Sequence, residues 1–568
     1  MRLLFGDCTF DSDARTLHRD GEVVRLSGKA FQLLEFLLDA RPNPVAKEDL
    51  FARLWPDTFV SEANLASLVK EIRAAIGDDA RNPRFVRTAH RFGYAFSGAV
   101  TKAAGRTAID SIAVLPFANR SGNADLDYLA DGLAETLINT LAGLGGLRVA
   151  PRASTFRYRG REEDLATVRS ELNVRAALTG RIGVTGETVA LSVELIDLGK
   201  DAQLWGKRFE APISGIVALQ DELSHEVVTA LQLRLTGESE RRLHKRYTES
   251  AIAYQLYLKG RHHWNRRTAE GIERAIFFFE SAIDADAAYA PAYSGLADSY
   301  IALASRDLHP ARLVMPKAEG AARRALELDD DLAEAHASMG AIHELFHWRW
   351  DRAEQEYLTS LRLNPSYVTA RQWYALALAH RGRASESLAQ IAVPLEDDPL
   401  SFHLNATAAV IHYLGRDYES ADESCHRALE INPHHEPAHF SLGLSLQQRQ
   451  RFDEAAAEFE RSLAISKGEP HVIAALGALE AQQGKIDAAR ARLDALAALS
   501  PAREVSPVHF ATVHLALGDT PSAIEWLERA LETRSGWLVY LATEPRFDGL
   551  RGETRFEAMV QRVGLAQR

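Results

Sequence analysis

The sequence predicts a multidomain chain: an α+β module over residues 1–100, a second, small α+β module over 107–236, and an all-α repeat solenoid over 248–568. Three observations predict it. At 568 residues the chain is several times longer than the roughly 150 residues of a typical domain. Strand-like and helix-like patterns alternate as far as residue 240, after which alanine content climbs and no strand pattern returns. Four prolines, Pro365, Pro399, Pro433 and Pro501, stand in steps of 34, 34 and twice 34.

Composition narrows the function classes. With 46% hydrophobic and 25% charged residues the chain is neither disordered nor fibrous. A net charge of −12, from 66 Lys+Arg against 78 Asp+Glu, excludes global attraction to nucleic acid or anionic lipid and leaves only a local basic face. The two cysteines, Cys8 and Cys425, fall in different segments, so a disulfide framework and a four-cysteine zinc site are excluded. The opening MRLLFGDCTFDSD reaches acidic residues before any apolar run of signal length, and no stretch of about 18 apolar residues follows. The expectation is a protein of the reducing cytoplasm that meets no membrane.

The first segment opens with extended pieces, Leu3–Phe10 and Thr16–Leu26, the second broken at the turn dipeptide Asp20-Gly21. Ser27 is placed to cap a helix in which Phe31, Leu34 and Leu38 recur at helical spacing, and which ends before Pro42. Val45–Trp55 reads as a second amphipathic helix, closed by Pro56. A third runs from Ser61 to Gly77, with Leu65, Val69, Ile72 and Ile76 on one face and Asn64, Ser67, Lys70 and Arg73 on the other. The stretch Arg81–Tyr94 carries its charge in arginines and no acid, and is the local basic patch.

Strands, three helices and a closing hairpin, with VAKEDLFARLWPD, LVKEIRAAIGDD and NPRFVRTAHRFGYAF in that order, resemble the winged-helix effector domain of OmpR/PhoB-type response regulators. The R-T-x-x-x-x-G-Y ending is the most specific part. The resemblance implies that the third helix enters the major groove of double-stranded promoter DNA and that the hairpin wing reaches the minor groove. It carries DNA contacts to Asn64, Ser67, Lys70 and Arg73 on the helix and to Arg87, Thr88, His90 and Arg91 on the wing. Leu68 and Glu71 depart from the polar or basic residues of many relatives; Glu71 could accept from a cytosine amino group or pair within its helix. The placement of the module, with no receiver domain before it, is similar to the CadC/ToxR group without the membrane helix found there. A dimer on DNA is compatible with the resemblance.

Between the charged junctions Thr101–Arg106 and Gly237–Arg242, the pattern is strand, helix, strand, helix, three strands and a final helix over Ile216–Leu235. IAVLPFANRSG and LTGRIGVTGETVALSVELID resemble the TolB amino-terminal-like domain, which brings no catalytic residues. Gly143-x-Gly145-Gly146 precedes a strand and is a loop rather than a dinucleotide fingerprint, and no phosphate-binding P-loop sequence occurs.

A period of 34 is that of the tetratricopeptide repeat. Lys467 and Ser535 fill the rungs left open by the prolines. Twelve residues before each rung stand Ala353, Ser387, Ala421, Ala455, Ala489 and Ala523, where helices cross closely; eight before stand Tyr357, Ile391, Cys425, Phe459, Leu493 and Leu527, which fill the core. The first-helix face of such an array forms a groove for a protein or peptide partner. Gln372, Leu376, His403, Val410, Tyr413, Phe440, Leu444 and Gln447 are expected to line it. Without the basic set that grips a terminal carboxylate, an apolar or mixed segment is the expected guest. His380 and His471 near this face read as ordinary surface residues.

His343-Glu344-Leu345-Phe346-His347 is a literal H-E-x-x-H, the pattern that places two zinc-binding histidines one helical turn apart with a glutamate to activate water. It falls inside a repeat helix, and the 34-residue ladder explains that helix without metal. The sequence reading is therefore a transcriptional regulator that is not an enzyme and needs no cofactor. Its rivals are a protein-interaction scaffold whose DNA binding is vestigial and, more remotely, a zinc metallopeptidase.

Overall fold

The computed structural model describes residues 2–12, 15–20, 22–54, 62–89, 92–102, 109–144, 146–162, 164–233, 235, 237–499 and 505–565. They form two compact units, one of residues 1–109 with the short segments 173–176 and 197–202, the other of the remainder.

In the first unit, Arg2–Phe5 (β1), Cys8–Asp11 (β2), Thr16–Arg19 (β3) and Glu22–Val24 (β4) precede a helix over Gly28–Ala40 (α1). Val45–Ala46 (β5), Lys47–Leu54 (α2), Glu62–Ile76 (α3), Val86–Ala89 (β6), Gly93–Phe96 (β7) and Thr101–Lys102 (β8) follow. One sheet has the order β4-β3-β2-β1-β8 and the other β5-β7-β6. Three expectations change. The piece read as one extended run, Leu3–Phe10, is two strands folded back at Gly6, whose φ of 57° belongs to the left-handed region that glycine enters freely. Val45–Ala46 leaves the second helix and pairs with Gly93 and Tyr94, because the β-branched Val45 is worth more on that sheet than in a first helical turn; Trp55 and Pro56 lie outside the described residues. The junction at Thr101 begins as a strand against Leu3 and Leu4. Leu65, Val69, Ile72 and Ile76 all face the core, with Phe5, Phe10, Phe31, Leu34, Leu38 and Phe96. Cys8 is buried there, and burial pushes its thiol up to about 12.

The second α+β module comprises Ser111–Val114 (β9), Ala118–Asn119 (β10), Asp127–Ala142 (α4), Arg148–Val149 (β11), Arg152–Thr155 (α5), Leu165–Leu172 (α6), Ala176–Thr185 (β12), Thr188–Asp197 (β13), Ala202–Pro212 (β14) and Ile216–Ala230 (α7). Its sheet has the order β11-β9-β12-β13-β14, with β10 beside β12. The charged run expected to be a solvated helix end or a linker is a short helix, Gly237–Leu243 (α8), tied down where the Ser239 hydroxyl donates to Leu144 O at 2.7 Å.

Eight helix pairs follow among the described residues: Ala251–Trp264 (α9) with Ala269–Ala285 (α10), Ala290–Ser305 (α11) with Ala311–Leu328 (α12), Ala333–Ile342 (α13) with Trp350–Leu363 (α14), and Val368–His380 (α15) with Ala384–Asp397 (α16). The others are Phe402–Leu414 (α17) with Tyr418–Ile431 (α18), Glu436–Gln448 (α19) with Phe452–Ser466 (α20), Pro470–Gln482 (α21) with Ile486–Leu499 (α22), and Pro507–Ala516 (α23) with Thr520–Thr533 (α24). The small residues of the ladder, from Ala353 to Ala523, are all buried, as are Tyr357, Ile391, Cys425, Phe459 and Leu527. Leu493 is half-buried, and Leu496, one turn on, takes the interior place. Two turns at Gly536–Tyr540 and Pro545–Leu550 and a helix at Thr554–Arg562 (α25) close the chain.

The second module packs on the first repeat. Glu135 of α4 accepts from Arg261 of α9 at 2.6 and 2.9 Å and from Asn265 at 2.8 Å, with Arg152 of α5 at 2.7 Å. Burial opposes the charge on Glu135, but Arg261 and Arg152 outweigh it and hold the carboxyl at about 2. Farther along, Arg157 pairs with the buried Asp398 at 3.3 Å.

Candidate nucleic-acid interface

Helix α3 is amphipathic, and its packing decides which side chains stay outside. Asn64, Ser67 and Lys70 are exposed, one turn apart, opposite the buried Leu65, Val69 and Ile72. Arg73 is half-buried. Its guanidinium donates to Val86 O from Nε at 3.2 Å and from Nη2 at 2.8 Å, and from Nη2 to the Thr88 hydroxyl at 3.2 Å. Two residues expected at the DNA thus bind each other, and Arg73 ties the helix to the hairpin β6–β7.

The hairpin is anchored a second time. After α3 ends, the Asp78 carboxylate accepts from the backbone N–H of Arg84 at 2.6 Å, Phe85 at 3.2 Å and Val86 at 2.7 Å. A three-donor clamp of this kind fixes where the hairpin starts, since each backbone donor is satisfied by one immobile group. Arg81, Arg84, Arg87 and Thr88 are exposed on and before β6, and Phe92 is exposed at the turn. His90 and Arg91 lie outside the described residues. Gly93 lies so close to β5 that a Cβ there would stand 1.8 Å from Val45 O, which explains the glycine of the closing motif.

The Glu71 carboxylate is bound outside its own helix. It accepts from the Ser27 N–H at 2.5 Å and the Ser27 hydroxyl at 2.9 Å, while the same hydroxyl oxygen accepts from Ala30 N at 3.3 Å at the start of α1. The acid therefore locks α3 onto the cap of α1, a pairing across 44 positions that no local pattern signals.

The groove residues are divided by the fold. His403 is exposed and Leu376, Val410 and Phe440 are half-buried, whereas Leu444 and Gln447 are buried. The Gln372 side chain donates to the Thr407 hydroxyl at 2.7 Å and Gln447 to Gln482 at 2.9 Å. Tyr413 is buried and its hydroxyl donates to Glu544 at 2.5 Å, because the closing turns return onto the first-helix face. There Trp537 donates to Asp307 at 2.8 Å and Arg416 to Thr543 O at 2.6 Å. His380 and His471 are not surface residues. His380 is buried beside Tyr540, and the half-buried His471 stacks on Trp537 with centroids 5.7 Å apart.

The H-E-x-x-H segment forms a π-helical turn, His343–His347, at the end of α13. His347 donates to Glu319 at 3.0 Å, and Glu344 is buried and bound by Tyr357 and His380. Among the described residues no group of three or more His, Cys, Asp or Glu side chains is arranged to hold a metal ion. None of their helices is long and apolar enough to cross a membrane.

A family model described as "Transcriptional regulatory protein, C terminal" matches residues 21–96. For the second module, where a TolB-like domain was expected, the model that matches is "HilA/YgeH-like transcriptional regulator, second domain", over 108–226. Tetratricopeptide-repeat models match 338–399, 407–470 and 446–509. A protein of Rhizobium meliloti (strain 1021) named as an adenylate cyclase is 31% identical over 250 residues, which are 44% of this chain and 35% of that protein. The chain thus spans about a third of that relative's length. The transcriptional regulator HilA of Salmonella typhimurium is 22% identical over 453 residues, 76% of this chain and 78% of its own. Among solved structures, the response regulator DrrB, an OmpR/PhoB homologue from Thermotoga maritima, is 33% identical, covers 17% of this chain and 44% of its own, and has a TM-score of 0.17. The chain carries an OmpR/PhoB-type winged helix at its N-terminus, a HilA-like regulator domain behind it and tetratricopeptide repeats in its C-terminal part.

Proposed function

We propose that the chain is a transcriptional regulator that binds double-stranded promoter DNA through α3 and the β6–β7 hairpin and engages a protein or peptide partner through its repeats. The observation that carries the reading is the outward row Asn64, Ser67 and Lys70 on a helix clamped, through Arg73 and Asp78, to a hairpin bearing exposed Arg87 and Thr88. Lys70, Arg81, Arg84 and Arg87 supply the local positive charge that an overall acidic chain needs for phosphate contact. In this reading the protein works in the cytoplasm, where promoter DNA is, and performs no catalysis. The exposed His403 and the half-buried Leu376, Val410 and Phe440 are the groove residues a partner would meet.

The test is a selection of duplexes bound by the full chain from fragmented genomic DNA, followed by titration at several salt concentrations. The expected result is an enriched sequence whose affinity falls steeply as salt rises, with Lys70→Ala reducing the salt slope by about 1. Salt-independent or undetectable binding by the folded chain would remove the DNA-binding part and leave the scaffold. Incubation with ATP is expected to yield no cyclic AMP.

A further inference from the structure

A cavity of about 500 Å³ lies where α4 and α7 of the second module meet the start of the repeats, α9, α11 and α13. The volume is in the range of small-molecule sites, and a junction of two domains is where such sites concentrate. The walls contain polar atoms the protein leaves unused. Gln220 of α7 is 5% exposed and Ser294 of α11 is 3% exposed, yet Gln220 Oε1 and Ser294 Oγ have no hydrogen-bond partner among the described residues. Orphaned polar atoms so deeply buried are costly, and here two of them, on facing domains, line one cavity that a ligand with complementary groups would satisfy.

Four tyrosines, Tyr247, Tyr254, Tyr257 and Tyr289, line the same space. Tyr257 and Tyr289 meet edge to face with centroids 5.2 Å apart, and neither hydroxyl is hydrogen-bonded among the described residues. Burial pushes both phenols up, so each keeps its proton and can donate as well as accept. Glu334, at the start of α13, adds a carboxyl to the wall. Of the wall's five cations, three pair with acids of the chain, Arg261 with Glu135, Lys245 with Asp329 and Arg246 with Asp221, while Arg241 and Arg242 donate to backbone carbonyls, Arg242 to Gly143 O and Leu363 O. At Arg261, Lys245 and Arg246 a phosphate or carboxylate ligand would have to compete with those carboxylates, and at Arg241 and Arg242 with backbone carbonyls.

We propose that this cavity binds a small uncharged polyol, of monosaccharide to disaccharide size. Ring faces of tyrosine suit the C–H faces of a sugar, and hydroxyls that both donate and accept match Gln220, Ser294, Tyr257, Tyr289 and Glu334 together. Because Gln220 belongs to the HilA-like domain and the other four to the repeats, the bound sugar bridges the two and stabilises their docking by mass action. The site would give the regulator an input, and it stands independently of the DNA-binding reading.

The experiment is calorimetric titration of the full chain with glucose, maltose and trehalose, beside glucose 6-phosphate and putrescine, with thermal unfolding measured in parallel. At least one neutral sugar is expected to bind one per chain with a Kd of about 1 mM or tighter and to raise the unfolding temperature. Ser294→Ala removes only an orphaned atom and should unfold like wild type without sugar, whereas Gln220→Leu also gives up the Nε2 bond to the Ser224 hydroxyl at 3.2 Å and should unfold somewhat earlier; each should weaken sugar binding about tenfold or more, as losing a buried hydrogen bond does. No sugar binding, binding of only the phosphate or the diamine, or unchanged sugar affinity in both variants would overturn the proposal. If a variant misfolds, Tyr257→Phe, which removes only an unbonded hydroxyl, decides in its place. DNA binding plays no part in any of these readouts.

Discussion

The Tyr357 hydroxyl donates to one oxygen of Glu344 at 2.7 Å, and His380 Nδ1 donates to the other at the same distance. All three side chains are buried. A glutamate held this way is the hub of a packing network between α14 and α15. Glu344→Ala should leave a buried tyrosine and histidine unpaired and cost about 3–5 kcal/mol, read as a lower urea midpoint. Glu344→Gln, which keeps an acceptor, should cost less. Removal of metal by a chelator should leave the unfolding temperature of the wild type unchanged.

Arg73 binds Val86 O and Thr88, so Arg73→Ala is expected to loosen the hairpin rather than erase one base contact. Losing hydrogen bonds from a charged donor costs about 1.5–3 kcal/mol. DNA affinity should fall alike for all sequences, with base preference kept, as a binding-site selection with the variant would show. Arg73→Lys should not restore affinity, because an ammonium cannot reproduce the fork that spans the two acceptors.

Gly93→Ala should be severe. The added methyl would meet Val45 O at 1.8 Å, a clash with backbone that no side-chain rotation relieves. The cost should exceed the roughly 1–3 kcal/mol of ordinary overpacking, with loss of the β5–β7 pairing visible as faster amide exchange at Ala46 and Gly93.

Glu135 makes docking of the HilA-like domain on α9 acid-sensitive. Its folded pKa, about 2, lies below the ordinary value of 4.5, so the ion pair contributes fully above pH 4.5 and is lost as pH falls toward 2. Amide exchange of α4 and α9 should accelerate together in that window. In Glu135→Gln the acceleration should already be present at neutral pH.

Much of this protein was legible in one dimension because periodicity reports burial. The 34-residue ladder placed Ala353, Ser387, Ala421 and Cys425 in the core without reference to any partner, and all four are buried. The apolar face of α3 was readable for the same reason. What the pattern cannot carry is the identity of a polar side chain's partner, since hydrogen bonds are made between positions far apart in sequence. Glu71 and Ser27 stand 44 residues apart, Glu344 and His380 stand 36 apart, and Tyr413 and Glu544 stand 131 apart. Two residues hold no period, so the Val45–Ala46 strand leaves no signal in the sequence and exists only where Tyr94 and Gly93 come alongside.

The sequence by itself determined the three-part order, the amphipathic faces and the repeat register, because these follow from side-chain size and polarity at fixed spacing along the chain. Only the tertiary structure decided that Arg73 faces Thr88, that the closing turns return to the first-helix face, and that Gln220 and Ser294 line one cavity. Directional bonds, steric closure and shared burial depend on where separate elements meet, and that meeting is a property of the folded chain as a whole.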